Sequence, residues 1–234
     1  MRFREWKELP EFMRNKEVRK YYNNLKRKRF SLILKRFFDV ILSAFLLIVL
    51  LPVFLIVSAW IKIDSPGPVF YRQERVTQYG RIFRIFKFRT MVADADKRGA
   101  LVTAENDVRV TKIGEKIRKY RIDEIPQLLN IITGDMSFVG TRPEVQKYVD
   151  VYTDEMKATL LLPAGVTSKA SIRYKDEGRI LKDVEDIDRT YIRKVLPQKM
   201  KWNLKALKKF SLFEEFCTMI ETVFAVMFRG KGYI

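Results

Sequence analysis

Two carboxylates, Asp123 and Glu124, stand side by side just ahead of a proline in the stretch RIDEIPQLLNIITGDMSFVGTRPE, residues 121–144. Acids in that position do one of two things. They favour a helix start, where unpaired N–H groups and the helix dipole stabilise negative charge and keep both groups ionised at neutral pH. Or they hold a metal and attack a phosphate. The cations Lys87, Arg118, Arg121 and Arg142 lie in flanking segments and, brought to the helix start, would make a cradle for a diphosphate. Carboxylates in such a cradle repel an anionic substrate unless Mg²⁺ bridges them to it. One acid then coordinates while the other attacks phosphorus. Phosphoryl transfer is driven largely by positioning and charge neutralisation, and it needs no histidine.

Composition supports that restriction. The 234 residues include no histidine, which excludes Ser-His-Asp and Cys-His machinery and imidazole metal sites. The single cysteine, Cys217, cannot form an internal disulfide or a thiolate cluster and reads as a small apolar filler on a helix. A protein-held metal would therefore be a hard, oxygen-liganded one. Lys and Arg number 46 against 28 Asp and Glu, a formal charge of +18. That balance implies a polyanionic partner: nucleic acid, an anionic membrane face or a phosphorylated substrate.

The elements that must position the acids begin with a basic segment, residues 1–36, in which aromatics (Phe3, Trp6, Phe12, Tyr21, Tyr22, Phe30) interleave with Lys and Arg. It reads as a solvated arm or as a helix lying on anionic headgroups, and the apolar run that follows favours the second. Residues 40–61 carry no charge and are long enough to cross a hydrocarbon core of about 30 Å as a helix. Pro52 falls near the middle and removes a backbone hydrogen bond. Both flanks are basic, and one span cannot place both on the cytoplasmic side. A helix that enters, breaks at Pro52 and returns on the same face satisfies both flanks; a proline-kinked span is the alternative.

Residues 69–72 and 81–90 read as hairpin strands joined through Gly80. Alternation puts Lys87 and Arg89 on the face of Phe83 and Ile85. Lys87 is either a phosphate-binding cation or an edge lysine that keeps the strand soluble. Residues 92–108 are loop-like, and 111–120 form a helix. After the acid pair, Ile125, Leu128, Leu129 and Ile132 recur at helical spacing, with Pro126 in the first turn and Gly134 as C-cap. The Gly140–Pro143 turn presents Arg142. Residues 163–180 are irregular with short strands, and 184–228 are helical. The apolar stretch 213–228 either packs in the core or beds in a membrane interface.

In order along the chain, KRFFDV, PVF at 52–54, SPGPVFYRQERV, FKFRTM, the long NDVRVTKIGEKIRKYRIDEIPQLLNIITGDMSFVGTRPE and PAGVTSKASIRYKDE resemble the bacterial sugar transferase family. These are monotopic phosphoglycosyl transferases that start exopolysaccharide, O-antigen and glycoprotein glycan assembly. The resemblance runs from about Lys35 to at least Tyr174. It implies transfer of a phospho-sugar from a UDP-sugar to undecaprenyl phosphate with release of UMP, by a ping-pong route. It implies Asp123 as the nucleophile, Glu124 as the acid that helps bind Mg²⁺, and Lys87 and Arg142 as phosphate-engaging cations. Pro52 matches the break in the family's re-entrant helix. Leu51 stands where the family often has Ser, Thr141 opens the usual Pro-Arg-Pro, and PAGVTSKASIRY replaces the common GWAQV-like form.

The expectation is an α+β monotopic membrane protein: a basic interfacial arm over 1–36, a re-entrant helix over 37–63 broken at Pro52, and a catalytic domain over 64–234. That domain carries a β-hairpin and interfacial amphipathic helices. Catalytic and metal-binding roles fall on Asp123 and Glu124, and phosphate binding on Lys87, Arg89, Arg118 and Arg142. The partners expected are a UDP-sugar, undecaprenyl phosphate and the anionic inner leaflet at the cytoplasmic face of a bacterial inner membrane. No nucleic acid is expected, and a homo-oligomer is left open. The competing reading is a non-enzymatic basic membrane adaptor with the acids as helix caps.

Overall fold

The computed structural model describes residues 3–93, 95, 107–174, 184 and 186–227. Most of the 92–108 stretch, residues 175–180 of the irregular segment and Phe228 lie outside them. Two short 3₁₀ turns, Trp6–Glu8 and Glu11–Met13, lead into α1, Lys16–Arg27. Asn15 caps α1 by accepting a hydrogen bond from the Val18 amide at 2.9 Å. Val18, Tyr22 and Leu25 recur at helical spacing and are buried, joining Phe3, Leu9 and Met13 in the largest core. The segment read as an interfacial arm thus packs one face into the protein: an apolar stripe at that spacing has to be covered, and the core covers it.

α2, Arg29–Val49, and α3, Leu51–Asp64, meet at Leu50 with a bend of 62°. The paired helices thus begin at Arg29 rather than 37, and the break lies at Leu50, with Pro52 in the first turn of α3. A proline there has no amide to give the preceding turn, so the bend falls where the ladder is interrupted. Among the described residues no single helix is long and apolar enough to cross a membrane; the bent pair taken together reaches that length and apolar composition.

The antiparallel hairpin joins β1, Phe70–Val76, to β2, Ile82–Phe88, and pairs Tyr71 with Lys87 and Arg75 with Phe83. Then come α4, Lys112–Lys119, a 3₁₀ turn at Ile122–Glu124, and α5, Gln127–Thr133, ended by Gly134 at φ 88°. β3, Met136–Val139, pairs in parallel with β4, Ala164–Thr167, across α6, Gln146–Val149, and a 3₁₀ turn at Met156–Leu161. α7, Lys169–Arg173, follows. Further on, α8, Ile187–Thr190, runs through a π-turn, Tyr191–Val195, into α9, Leu196–Lys208; α10 spans Leu212–Met227.

α1, α6 and the α8–α9 stretch share the largest core. A second cluster, Phe83, Ile85, Leu128, Ile131, Met136 and Ala164, packs against Leu46, Leu47 and Leu50 of the bend. α2 turns a buried stripe inward at Leu32, Lys35, Asp39 and Ser43. Lys35 forms an ion pair with Glu215 of α10 and donates to the Val139 carbonyl at 3.1 Å. Asp39 accepts from the Phe138 amide at 3.3 Å. The opposite faces are apolar and exposed: Phe37, Phe45 and Ile48 on α2, Leu55 and Trp60 on α3, Phe216 and Phe224 on α10.

Because α1 belongs to the core, Leu25→Ala is expected to lower stability by about 2–5 kcal/mol in chemical unfolding of the detergent-solubilised protein. Unchanged stability would mean that the segment is a detached arm.

Candidate active site

The acid pair sits in the 3₁₀ turn between α4 and α5. α4 ends because Arg121 adopts a left-handed conformation, φ 57°, which costs a non-glycine residue about 1–2 kcal/mol. That turn reverses the chain and leaves the Arg121 guanidinium 3.4 Å from Glu124 Oε1. On the other side, α5 is registered against β2. The Phe86 amide donates to Asn130 Oδ1 at 2.8 Å, and Asn130 Nδ2 donates to the Arg84 carbonyl at 3.1 Å. The clasp sets the end of β2 beside the acids, with Lys87 Nζ 3.6 Å from Glu124 Oε1.

Arg142 arrives from the turn after β3. Here two glycines let the backbones touch: a Cβ on Gly165 would lie 2.1 Å from the Gly140 nitrogen. The Gly140 amide donates to the Thr167 carbonyl at 3.0 Å, and the Gly165 amide to the Thr141 carbonyl at 2.9 Å. From that fixed turn, Arg142 Nη2 donates to Glu124 Oε1 at 2.6 Å. One carboxylate oxygen therefore serves three cations from three segments.

The electrostatics divide the pair. Burial opposes the Glu124 anion, but Arg142, then Lys87 and Arg121, outweigh it and hold its carboxyl far below the usual range. Asp123 moves the other way. Burial pushes it up, and the Glu124 charge adds to that against Lys87, Arg118 and Arg121. Burial, more than the helix terminus, governs this acid. None of the three ion pairs goes to Asp123, which is itself buried. Burial also pushes the Lys87 ammonium down, with Glu124 the largest opposing influence. Arg118 is lowered by burial, and Asp123 is the largest charge supporting it.

The structure thus brings together Asp123, Glu124, Lys87, Arg118 and Arg142, but not Arg89. Arg89 lies one residue past the end of β2 and is buried beneath the end of α3. Its Nη2 donates to the Ser65 carbonyl at 2.7 Å and its Nη1 to the Pro66 carbonyl at 2.7 Å. It satisfies carbonyls at a helix C-terminus, where a cation is favoured, rather than facing the acid pair. Arg75, which the sequence reading passed over, lies near Lys87, and its Nη1 donates to the Pro143 carbonyl at 3.2 Å. Burial lowers it, while the nearby Glu144 supports its charge and Arg142 opposes it. The signal for Arg75 was hairpin register: opposite Phe83, it shares the Lys87 face.

Among the described residues no group of three or more Asp, Glu, Cys or His could hold a metal ion. Mg²⁺ is commonly held through one or two carboxylates, with waters and substrate phosphates completing its shell. Asp123 and Glu124 are two adjacent oxygen donors of the type such an ion takes.

Beside the acids opens a groove of about 280 Å³. Lys119, Arg121 and Glu124 line its polar side; Leu46 and Leu50 of the helix bend, Phe138, and Ala225 of α10 are among its apolar walls. Cationic groups and paired acids thus lie next to an apolar groove, and the helices bordering it carry exposed apolar faces. The chain belongs to the bacterial sugar transferase family, whose model matches residues 30–229.

Three relatives add detail. The UDP-N-acetylgalactosamine-undecaprenyl-phosphate N-acetylgalactosaminephosphotransferase of Aeromonas hydrophila is 45% identical over 104 residues, covering 44% of this chain and 25% of that protein. The UDP-glucose:undecaprenyl-phosphate glucose-1-phosphate transferase of Caulobacter vibrioides is 31% identical over 184 residues, 77% of this chain and 65% of its own length. The protein of the same name in Escherichia coli (strain K12) is 29% identical over 182 residues, 76% of this chain and 36% of its own. The matched stretch thus spans a quarter to about two thirds of these relatives.

Arg89→Met is expected to lower stability by about 2–3 kcal/mol through lost charged hydrogen bonds, with diphosphate affinity of the folded protein unchanged. A tenfold loss of that affinity at unchanged stability would return Arg89 to the cradle.

Proposed function

We propose that this protein transfers a sugar 1-phosphate from a UDP-sugar to undecaprenyl phosphate, as the names of its relatives describe for them. The observation that carries the mechanism is the division of labour in the acid pair: three cations occupy Glu124 and none of them pairs with Asp123. An Asp123 oxygen attacks the sugar-bearing phosphorus of the UDP-sugar. The bond from that phosphorus to the bridging oxygen breaks, and the electron pair leaves with UMP. A phosphate oxygen of the undecaprenyl acceptor then attacks the same phosphorus and releases the Asp123 carboxylate, giving undecaprenyl-diphosphate-sugar.

Lys87, Arg118, Arg121 and Arg142 orient the diphosphate and offset the charge that develops on it. Glu124, fixed by three of them, keeps their charges in register. Mg²⁺ held through Asp123 and Glu124 would supply charge neutralisation at the diphosphate. The apolar groove suits the isoprenoid chain of the acceptor, with its phosphate at the Arg121–Glu124 end. The first membrane step of exopolysaccharide, O-antigen or glycoprotein glycan synthesis is a reaction of this kind.

We place the site at the cytoplasmic face of the bacterial inner membrane, on a monotopic, re-entrant arrangement. The exposed apolar faces of α2, α3 and α10 are too extensive to be left in water. A bend of 62° at Leu50 lets α2 and α3 enter and leave on one side, with both basic flanks facing anionic headgroups.

Two outcomes are expected. Asp123→Asn abolishes UMP release across a panel of UDP-sugars while the protein stays in the membrane fraction; full turnover would favour a membrane adaptor with the acids as caps. In a Cys217→Ser background, thiols introduced as Arg14→Cys and Lys112→Cys label from the same side of sealed vesicles. Labelling from opposite sides would make α2–α3 a true span.

A further inference from the structure

Two residues after Arg142, the Glu144 carboxylate is buried, 6% exposed. The Tyr191 hydroxyl donates to Glu144 Oε1 at 2.6 Å. Lys199 donates to that hydroxyl at 2.9 Å, and its ammonium lies 3.5 Å from Glu144 Oε1. The three side chains thus form a connected, buried set, in which each hydrogen bond strengthens the next. Tyr191 is itself held in place. Its ring packs on Tyr148 with centroids 4.7 Å apart, and the Tyr148 hydroxyl donates to Asp188 Oδ1 at 2.5 Å.

The helix geometry is built for this contact. Residues eight apart on a regular α-helix point about 80° away from each other. The π-turn Tyr191–Val195 takes up one extra residue, so Tyr191 and Lys199 fall on one face, two turns apart. Without it, Lys199 would swing away from Glu144.

What the set holds is the turn that carries Arg142. The backbone of that turn is tied by the Gly165 amide to Thr141, by Arg75 to Pro143, and by the Val76 amide to the Glu144 carbonyl at 2.9 Å. Glu144 adds a side-chain anchor from the α8–α9 stretch. We propose that Glu144, Tyr191 and Lys199 are positioning residues that set Arg142 against Glu124, so the helical stretch 187–208 governs the phosphate site without touching substrate. This rests on the reading of Arg142 as a cation of the phosphate site. A buried ion pair with no such role would stabilise the core and nothing else.

The test is a double-mutant cycle on the full-length protein, with UMP release read alongside amide hydrogen exchange of the turn. Tyr191→Phe is expected to lower kcat/KM about tenfold in the parent but less than twofold in Arg142→Lys, because a misplaced turn costs little once its guanidinium is gone. Amides of Thr141, Arg142 and Glu144 should exchange faster in Tyr191→Phe while the unfolding midpoint moves little. Equal losses in both backgrounds, or an unchanged exchange rate, would overturn the proposal. Should Tyr191→Phe fold poorly, Glu144→Gln/Lys199→Met, which removes both charges of the pair together, is held to the same two readouts. A parent that releases UMP from no donor would sink the proposed function, and the exchange measurement would still decide the positioning.

Discussion

Glu124 Oε1 lies within 3.6 Å of Lys87, Arg121 and Arg142, which come from the end of β2, the break after α4 and the turn after β3. A buried carboxylate so engaged cannot lose one partner cheaply; stranding a charge of this kind costs about 3–5 kcal/mol. The hairpin, the α4–α5 break and the parallel β3–β4 pair must therefore all be in place before the site is electrically settled. The same arrangement decides the chemistry open to Asp123. Its neighbour takes three of the nearby cations, and among the described residues Asp123 is a buried acid with charge around it but no ion pair, the state in which we propose it meets phosphorus.

The bent helix pair is joined to that site by polar contacts as much as by packing. Lys35 and Asp39 bind β3 and α10 from the inner face of α2. One residue on, Arg36 Nη2 donates to the Ile132 carbonyl at 2.8 Å and Nη1 to the Ile131 carbonyl at 2.5 Å, closing the end of α5. Arg89 does the same for α3. Each cation donates to carbonyls at a helix end, where such groups lack partners within the helix. The bent pair is thus fixed in register with the acids, and the groove between them has a defined shape.

Much of this was legible locally. Adjacent acids before Pro126, the Gly134 cap, the hairpin around Gly80 and the Arg142 turn are short-range patterns, and each lies where the spacing predicts. The misses came from longer range. Val18, Tyr22 and Leu25 already spell a buried stripe, but the apolar run that follows drew the reading toward a membrane surface alone. Strand alternation grouped Arg89 with Lys87, yet β2 ends at Phe88, and one residue beyond it the side chain turns to the carbonyls of α3. Arg75 needed the true hairpin register, and the π-turn that aligns Tyr191 with Lys199 has no local signature in a stretch that reads as ordinary helix.

The central claim is that Asp123 carries the sugar phosphate between donor and acceptor. Incubating the protein with its UDP-sugar alone, quenching in acid and weighing the peptide that spans residues 122–133 tests it directly. The account predicts a mass increase of one sugar phosphate on that peptide, formed with one equivalent of UMP and lost on adding undecaprenyl phosphate. Active protein that releases UMP only when both substrates are present, and never carries the adduct, would contradict it.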